Sequence, residues 1–166
     1  MGLFNIGKNQ KLLNLQKLLV INSPNKLMYT ESQLLNMANK NVERELQMIN
    51  ESADLVNHTV NPDVFFSRLE FIKERLNYLI ALQPYVKFKG KTPSHELSKI
   101  NNMEQGQIKL FLTRYFDNTT EKANGMKTDK GKKNKYKKFY DSLQKYYSNM
   151  NQENIAFVES KKHLFM

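Results

Sequence analysis

From Leu35 to Val60 the residues Leu35, Ala38, Val42, Leu46, Ile49, Ala53, Val56 and Val60 follow one another at spacings of 3, 4, 4, 3, 4, 3 and 4. A helix of 3.6 residues per turn gathers such positions on one face, whereas a strand alternates at every second residue. The stretch therefore specifies a long amphipathic helix. Thr30-Glu31-Ser32-Gln33 stands just ahead of it. This is a capping box, in which a Thr hydroxyl and a Gln side chain satisfy two orphan amides of the first turn. Unbroken for about 28 residues, the helix would run ~42 Å. A chain committed to an element of that length has to cover its apolar stripe with further helices.

The flanking sequence supplies them. A first helix is expected from about Lys8 to Ile21, with Leu12, Leu15, Leu18 and Leu19 on one face, ended by Asn22-Ser23-Pro24-Asn25, because Pro cannot donate to the ladder and pushes its predecessor out of the α region. Asn61-Pro62-Asp63 combines a capping residue, a Pro suited to the first helical position and an acid at the positive end of the dipole. Behind it Phe65, Leu69, Ile72, Leu76 and Leu79 recur at 4, 3, 4 and 3, widened by Phe66 and Ile80, until Pro84. Tyr85 to Lys91 alternates apolar and basic residues but is too isolated to make a sheet. Thr92-Pro93 opens a fourth helix carrying Leu97, Ile100, Ile108, Phe111, Leu112, Tyr115 and Phe116. Gly106 costs that helix roughly 1 kcal/mol relative to Ala and opens it to a kink or break; Gly125 is a natural stop. A fifth helix, starting near Thr128 or Lys132, should bury Tyr136, Phe139, Tyr140, Leu143 and Tyr147. Asn151 can cap a short sixth helix through Ile155 and Val158. The expected fold is all-α, an antiparallel bundle of five to six amphipathic helices in one domain spanning 1–166. Residues 1–24 are a candidate for a separate N-terminal helix or arm.

The patterns that carry catalysis are missing from the sequence. There is no cysteine, hence no thiolate nucleophile or Cys-based zinc site. Neither glycine-rich phosphate motif occurs, and Gly131-Lys132 lacks both the upstream glycine and the strand that a phosphate loop requires. His58, His95 and His163 lie far apart and form no ligand pair. Surface or capping roles suit them, His95 in the first turn of its helix. Glu43 and Glu45 point to different faces of a helix. Glu70 and Glu74 share a face with Lys73 and Arg75 interleaved, which reads as a solvated ion-pair surface. No Glu-x-x-His pair is present for a di-iron site, and the neighbours Ser94-His95-Glu96 diverge around a helical turn. The expectation is a chain that is not an enzyme, with no cofactor, metal or catalytic residue.

Charge is the most informative feature that remains. The chain has 26 Lys and Arg against 16 Asp and Glu, a net +10. From Lys122 to Lys138 eight Lys face one acid, Asp129, so that +7 of the total lies in one stretch. The candidate site is Lys130, Lys132, Lys133, Lys135, Tyr136, Lys137 and Lys138. Lys130, Lys133 and Lys137 share a helical face, with Tyr136 and Tyr140 one step round. Lysines beside aromatic rings suit phosphate contact with base stacking; they equally suit an acidic protein surface. The patch has no Arg, the residue whose planar fork reads phosphates and bases bidentately. The reading placed first is a non-enzymatic protein-interaction module. The alternative is a nucleic-acid-binding protein using Lys122–Lys138, and a homo-oligomer is open to either.

No run approaches the ~18 apolar residues of a membrane span, so no integral membrane association is expected. Leu3, Phe4 and Ile6 would suit an interfacial anchor, although their stripe would equally dock on the bundle. The N-terminus lacks the pattern of a secretory signal, and the expected location is cytoplasmic. With 22 Lys and 20 Asn among 166 residues, the composition is that of AT-rich coding DNA, as in a low-GC bacterium or its phages and plasmids.

Asn61-Pro62-Asp63-Val64-Phe65-Phe66-Ser67-Arg68-Leu69 through Leu79, Arg114-Tyr115-Phe116, and the lysine run from Lys127 to Asn134 together resemble a group of uncharacterised helical proteins from Gram-positive bacteria and their phages. The resemblance covers about Asn61 to Glu159. It implies a mobile-element origin and carries over no activity and no functional residue.

Overall fold

A computed structural model describes residues 3–166, with side chains from Gly7 onward; the anchor reading at Leu3, Phe4 and Ile6 lies outside the described side chains. The fold is an all-α bundle. Its helices are α1 (Leu3–Leu19), α2 (Glu31–His58), α3 (Pro62–Leu82), α4 (Pro93–Asn124), α5 (Asp129–Leu143) and α6 (Gln152–Glu159), with 3-10 turns at Gln144–Asn149 and Lys162–Leu164. No strand occurs among the described residues, and 85–91 is irregular.

The helix starts are the ones local chemistry dictates. Thr30 and Gln33 close the capping box reciprocally: the Thr30 amide donates to Gln33 Oε1 at 2.9 Å and the Gln33 amide to Thr30 Oγ1 at 3.2 Å. Asn61 Oδ1 accepts from the amides of Asp63 and Val64. Thr92, Thr128 and Asn151 cap the next three helices through the amides of His95, Gly131 and Asn154. Helix ends are less faithful to the sequence. α1 occupies Leu3–Leu19 rather than Lys8 to Ile21. α4 passes through Gly106 unbroken, since no side chain there would crowd a neighbour and the cost of Gly is small beside the packing on either side. α4 does stop before Gly125, but without the left-handed backbone that makes Gly special at such ends: positive φ occurs at Asn22 and Gly90.

The α2 stripe is rotated from its expected position. Leu34, Ala38, Val42, Glu45, Ser52 and Val56 are buried, while Leu46 is 40 % exposed. Leu34 replaces Leu35, Glu45 replaces Leu46 and Ser52 replaces Ala53 on the inner face. A buried carboxylate is costly unless cations reach it: Glu45 Oε1 lies 3.6 Å from Arg75 Nη1 and 3.8 Å from Arg44 Nη2, while Oε2 has no hydrogen-bond partner among the described residues.

The chain forms two compact units. Unit 1 comprises the residues up to Glu51 together with Phe71–Ser98. Among its described residues the buried apolar ones are Leu15, Leu34, Ala38, Val42, Ile72, Leu76, Leu79, Leu82 and Val86, all aliphatic. Here α1 is anchored by Leu15, which is fully buried, by a Lys8–Glu31 ion pair at 2.8 Å, and by Tyr78, whose hydroxyl donates to the Leu18 carbonyl and accepts from Asn41 Nδ2. Gln16, also fully buried, fixes the following loop: Nε2 donates to Ser23 Oγ and the Lys26 carbonyl, and Oε1 accepts from the Met28 amide.

Unit 2 comprises Ser52–Glu70 and Lys99–Met166. Its core combines aliphatic residues such as Leu69, Ile108, Leu112 and Leu143 with the rings of Phe65, Phe66, Phe111 and Phe139, and the rings form a connected series. Phe65 stacks on Phe111 at 4.3 Å and Phe66 on Tyr146 at 4.1 Å. Phe111 leads to Tyr115, Tyr115 to Phe139, and Phe139 to Phe116. Arg114 closes the last turn of α2, donating from Nε to the Thr59 carbonyl and from Nη2 to the Val56 carbonyl, both at 2.9 Å. Burial lowers the Arg114 pKa, and the two carbonyls are the partners a desolvated guanidinium needs. The buried Asn154 ties α6 to α4, its Nδ2 donating to the backbone carbonyl and to Oε1 of Gln105.

Candidate functional site

Within unit 2, α5 presents the lysine-rich sequence. Thr128 starts it, and Phe139 and Leu143 bury its inner face. Lys130, Lys132, Lys133, Lys137 and Lys138 are exposed, while Lys135 and Tyr136 are half-buried. Lys137 is held by Asp141 at 2.5 Å. The aromatic members turn inward. Tyr136 leans on Phe116 with ring centroids 5.9 Å apart, and the Tyr140 hydroxyl donates to Glu159 Oε1 at 3.0 Å. Glu159 also accepts from Tyr147 at 2.8 Å and pairs with Lys162 at 2.6 Å. The Lys162 contact, with the two hydroxyls, holds its carboxyl below the usual carboxylate range, and burial pushes the Tyr147 hydroxyl well above the usual phenol range.

Two of the seven candidate residues, Lys135 and Lys138, meet in a cleft of about 370 Å³. α4 adds Lys122, Asn118 and Tyr115 to its lining, α5 adds Ser142 and Phe139, and the opposite wall is the start of α3 at Asn61, Pro62 and Asp63. The Tyr115 and Ser142 hydroxyls are bonded to each other at 2.9 Å, and burial raises the Tyr115 pKa. Asp63 is already occupied: Lys145 Nζ lies 2.7 Å from Oδ1 and the Tyr146 hydroxyl donates to the same oxygen. These two contacts, Lys145 first, hold its carboxyl below the usual range. Lys122, Lys135 and Lys138 form no ion pair among the described residues. The cleft is thus a concave surface with three uncompensated ammonium groups and a neutralised carboxylate. The rest of the candidate set, Lys130, Lys132, Lys133 and Lys137, lies outside it.

Sequence reasoning missed Lys122, Asn118, Tyr115, Ser142 and the Asn61–Asp63 wall as parts of one site. Lys122 was visible as the first lysine of the basic stretch; nothing local pairs it with Lys135.

The histidines stay local, as their spacing implied. His58 Nδ1 lies 2.9 Å from the Asp54 carbonyl and His163 Nδ1 lies 2.7 Å from that of Ser160. Among the described residues no three His, Asp or Glu side chains gather as a metal site, and no helix is long and apolar enough to cross a membrane. Comparison with protein-family models, curated proteins and solved structures returns no match.

Proposed function

We propose that this chain is a non-enzymatic interaction module that docks an acidic protein partner through the lysines of α5. The supporting observation is the division of that helix, with Tyr136 and Tyr140 engaged by Phe116 and Glu159 and the ammonium groups outside. Base stacking needs an aromatic face offered to the strand, and base reading in the duplex favours a bidentate Arg. A carboxylate-rich protein surface asks only for complementary charge, which steers encounter and fixes orientation. The resemblance of Asn61–Glu159 to proteins of Gram-positive bacteria and their phages suggests a host or phage protein as that partner.

Affinity capture followed by calorimetry tests the reading. The expected result is one stoichiometric partner, released by salt and lost by a Lys130→Gln/Lys132→Gln/Lys133→Gln variant. Labelled duplex bound by the wild type at physiological salt, with log affinity falling by roughly 0.9 per phosphate contacted against log salt, would replace the protein reading with the nucleic-acid one. Substrate turnover by the purified chain would overturn both.

A further inference from the structure

We infer that the cleft lined by Lys122, Lys135 and Lys138 is a binding site for a small phosphate-bearing molecule with at least two negative charges. Its volume of about 370 Å³ falls at the lower end of small-ligand pockets, which run from roughly 300 to 1,000 Å³. Such a volume admits a phosphorylated metabolite and excludes a duplex, whose phosphates lie on a convex surface.

The charges converge here: Lys122, Lys135 and Lys138 line one concavity, whereas Lys130, Lys132 and Lys133 are exposed outside it. Like charges drawn together on a folded surface repel, and proteins ordinarily interleave acids among them. On the same helix Lys137 has Asp141. In the cleft the one carboxylate, Asp63, is spent on Lys145 and Tyr146. Three cations from two helices are left facing one concavity, where field lines concentrate. Lys135 is half-buried as well, so less of its side-chain freedom is left to lose when an anion binds. The amides at the start of α3 add nothing, because Asn61 already caps those of Asp63 and Val64. Recognition falls on the lysines, with Asn118 as a neutral donor. The remaining wall is apolar, formed by Val60, Pro62 and the Phe139 ring, and receives the uncharged body of the ligand.

This site shares α5 with the proposed docking surface but uses Lys135 and Lys138, whereas the docking variant changes Lys130, Lys132 and Lys133, so the two are separable by mutation. The probes are inorganic pyrophosphate and adenosine monophosphate, followed by amide chemical shifts and calorimetry on the whole chain. Saturable binding is expected with Kd below about 1 mM and shift changes centred on Asn118, Thr119 and Ser142. Lys122→Gln/Lys135→Gln should weaken binding by about tenfold or more, Lys122→Arg/Lys135→Arg should retain it, and Lys130→Gln/Lys133→Gln should leave it unchanged. A short single-stranded oligonucleotide that displaces pyrophosphate with the same Lys122 and Lys135 dependence would keep the phosphate assignment and move its source to a nucleic-acid strand. Shift changes spread evenly over all the lysines of α5, or no saturation by about 10 mM probe, an affinity weaker than roughly 3 kcal/mol, would overturn the site. Loss of partner docking in the outer-face variant with pyrophosphate binding intact would leave this inference standing.

Discussion

Unit 1 has 11 Lys and Arg against 6 Asp and Glu, and unit 2 has 15 against 10, so that each carries +5. In unit 1 the cations are dispersed between Lys8 and Lys91. In unit 2 the stretch Lys122–Lys138 alone holds +7, and everything else in the unit sums to −2. The interiors differ in the same way. Among the described residues the buried apolar side chains of unit 1 are aliphatic, while unit 2 adds to its aliphatics a series of touching rings from Phe66 through Phe139. These contrasts belong together. Ring pairs prefer particular geometries, so an aromatic interior fixes the rotation of α5 more tightly than an aliphatic one would. Phe139 is both a core ring and a wall of the lysine cleft. Net charge alone would have ranked the units equal; the location of the charge, and the rings packed beneath it, distinguish them.

The largest test of that contrast is a pair of truncations. Phe111 and Leu79 are both fully buried, the first in the ring chain and the second among aliphatics. Phe111→Ala should cost about 3–5 kcal/mol and Leu79→Ala about 2–5 kcal/mol. Urea melts would measure both. Near-ultraviolet dichroism of the folded variants should change for Phe111→Ala alone, through Tyr115 beside it, and equal spectral change in both would break the comparison. Next in size is Arg114→Lys, which loses the two-carbonyl closure of α2 because an ammonium lacks the planar fork. A loss of about 1–3 kcal/mol is expected, with faster amide exchange at the end of α2.

Gly106→Ala should go the other way. The position is helical, exposed and uncrowded, so unit 2 should gain about 1 kcal/mol; a thermal melt shifted downward would show that α4 needs flexibility there. The smallest effect concerns Asp63 and Lys145. Because the folded Asp63 pKa is lowered, its contribution is present above the ordinary carboxylate pKa of about 3.9 and is lost as pH falls through the lowered value. Because the folded Lys145 pKa is raised, its contribution is present below about 10.4 and is lost as pH rises through the raised value. Melting temperatures of the wild type and Asp63→Asn should therefore differ by a small constant amount between those limits and converge beyond each. A difference persisting at pH 2 would show that the pair is not its source.

Much of the fold was legible because it rests on short-range chemistry. The caps at Thr30, Asn61, Thr128 and Asn151 involve residues within three positions of one another, and helical stripes are visible wherever spacing repeats. Which residue leads a stripe was less legible. α2 turns Leu46 outward and Glu45 inward, toward Arg75, thirty residues away. Gln16 and Arg114 escaped for the same reason: their partners are a loop and the end of another helix. The basic stretch was legible as charge. Its division into cleft, outer face and internally engaged aromatics was not, since Lys122, Lys135 and Asn61 come from three segments whose meeting no spacing rule encodes.

The interleaving of the two units bears on how the chain is made. Ser52–Glu70 belongs to unit 2 yet is translated between the two halves of unit 1. A ribosome that has released residues up to Ser98 has supplied all of unit 1, while Phe65 and Phe66 still await Phe111 and Tyr146. Nascent chains with apolar rings left in water are prone to aggregate and to engage chaperones. Synthesis speed across codons 71–111 should therefore govern the soluble yield. No single crossover in the gene can transplant either unit whole, so recombination inherits the pair together or damages both.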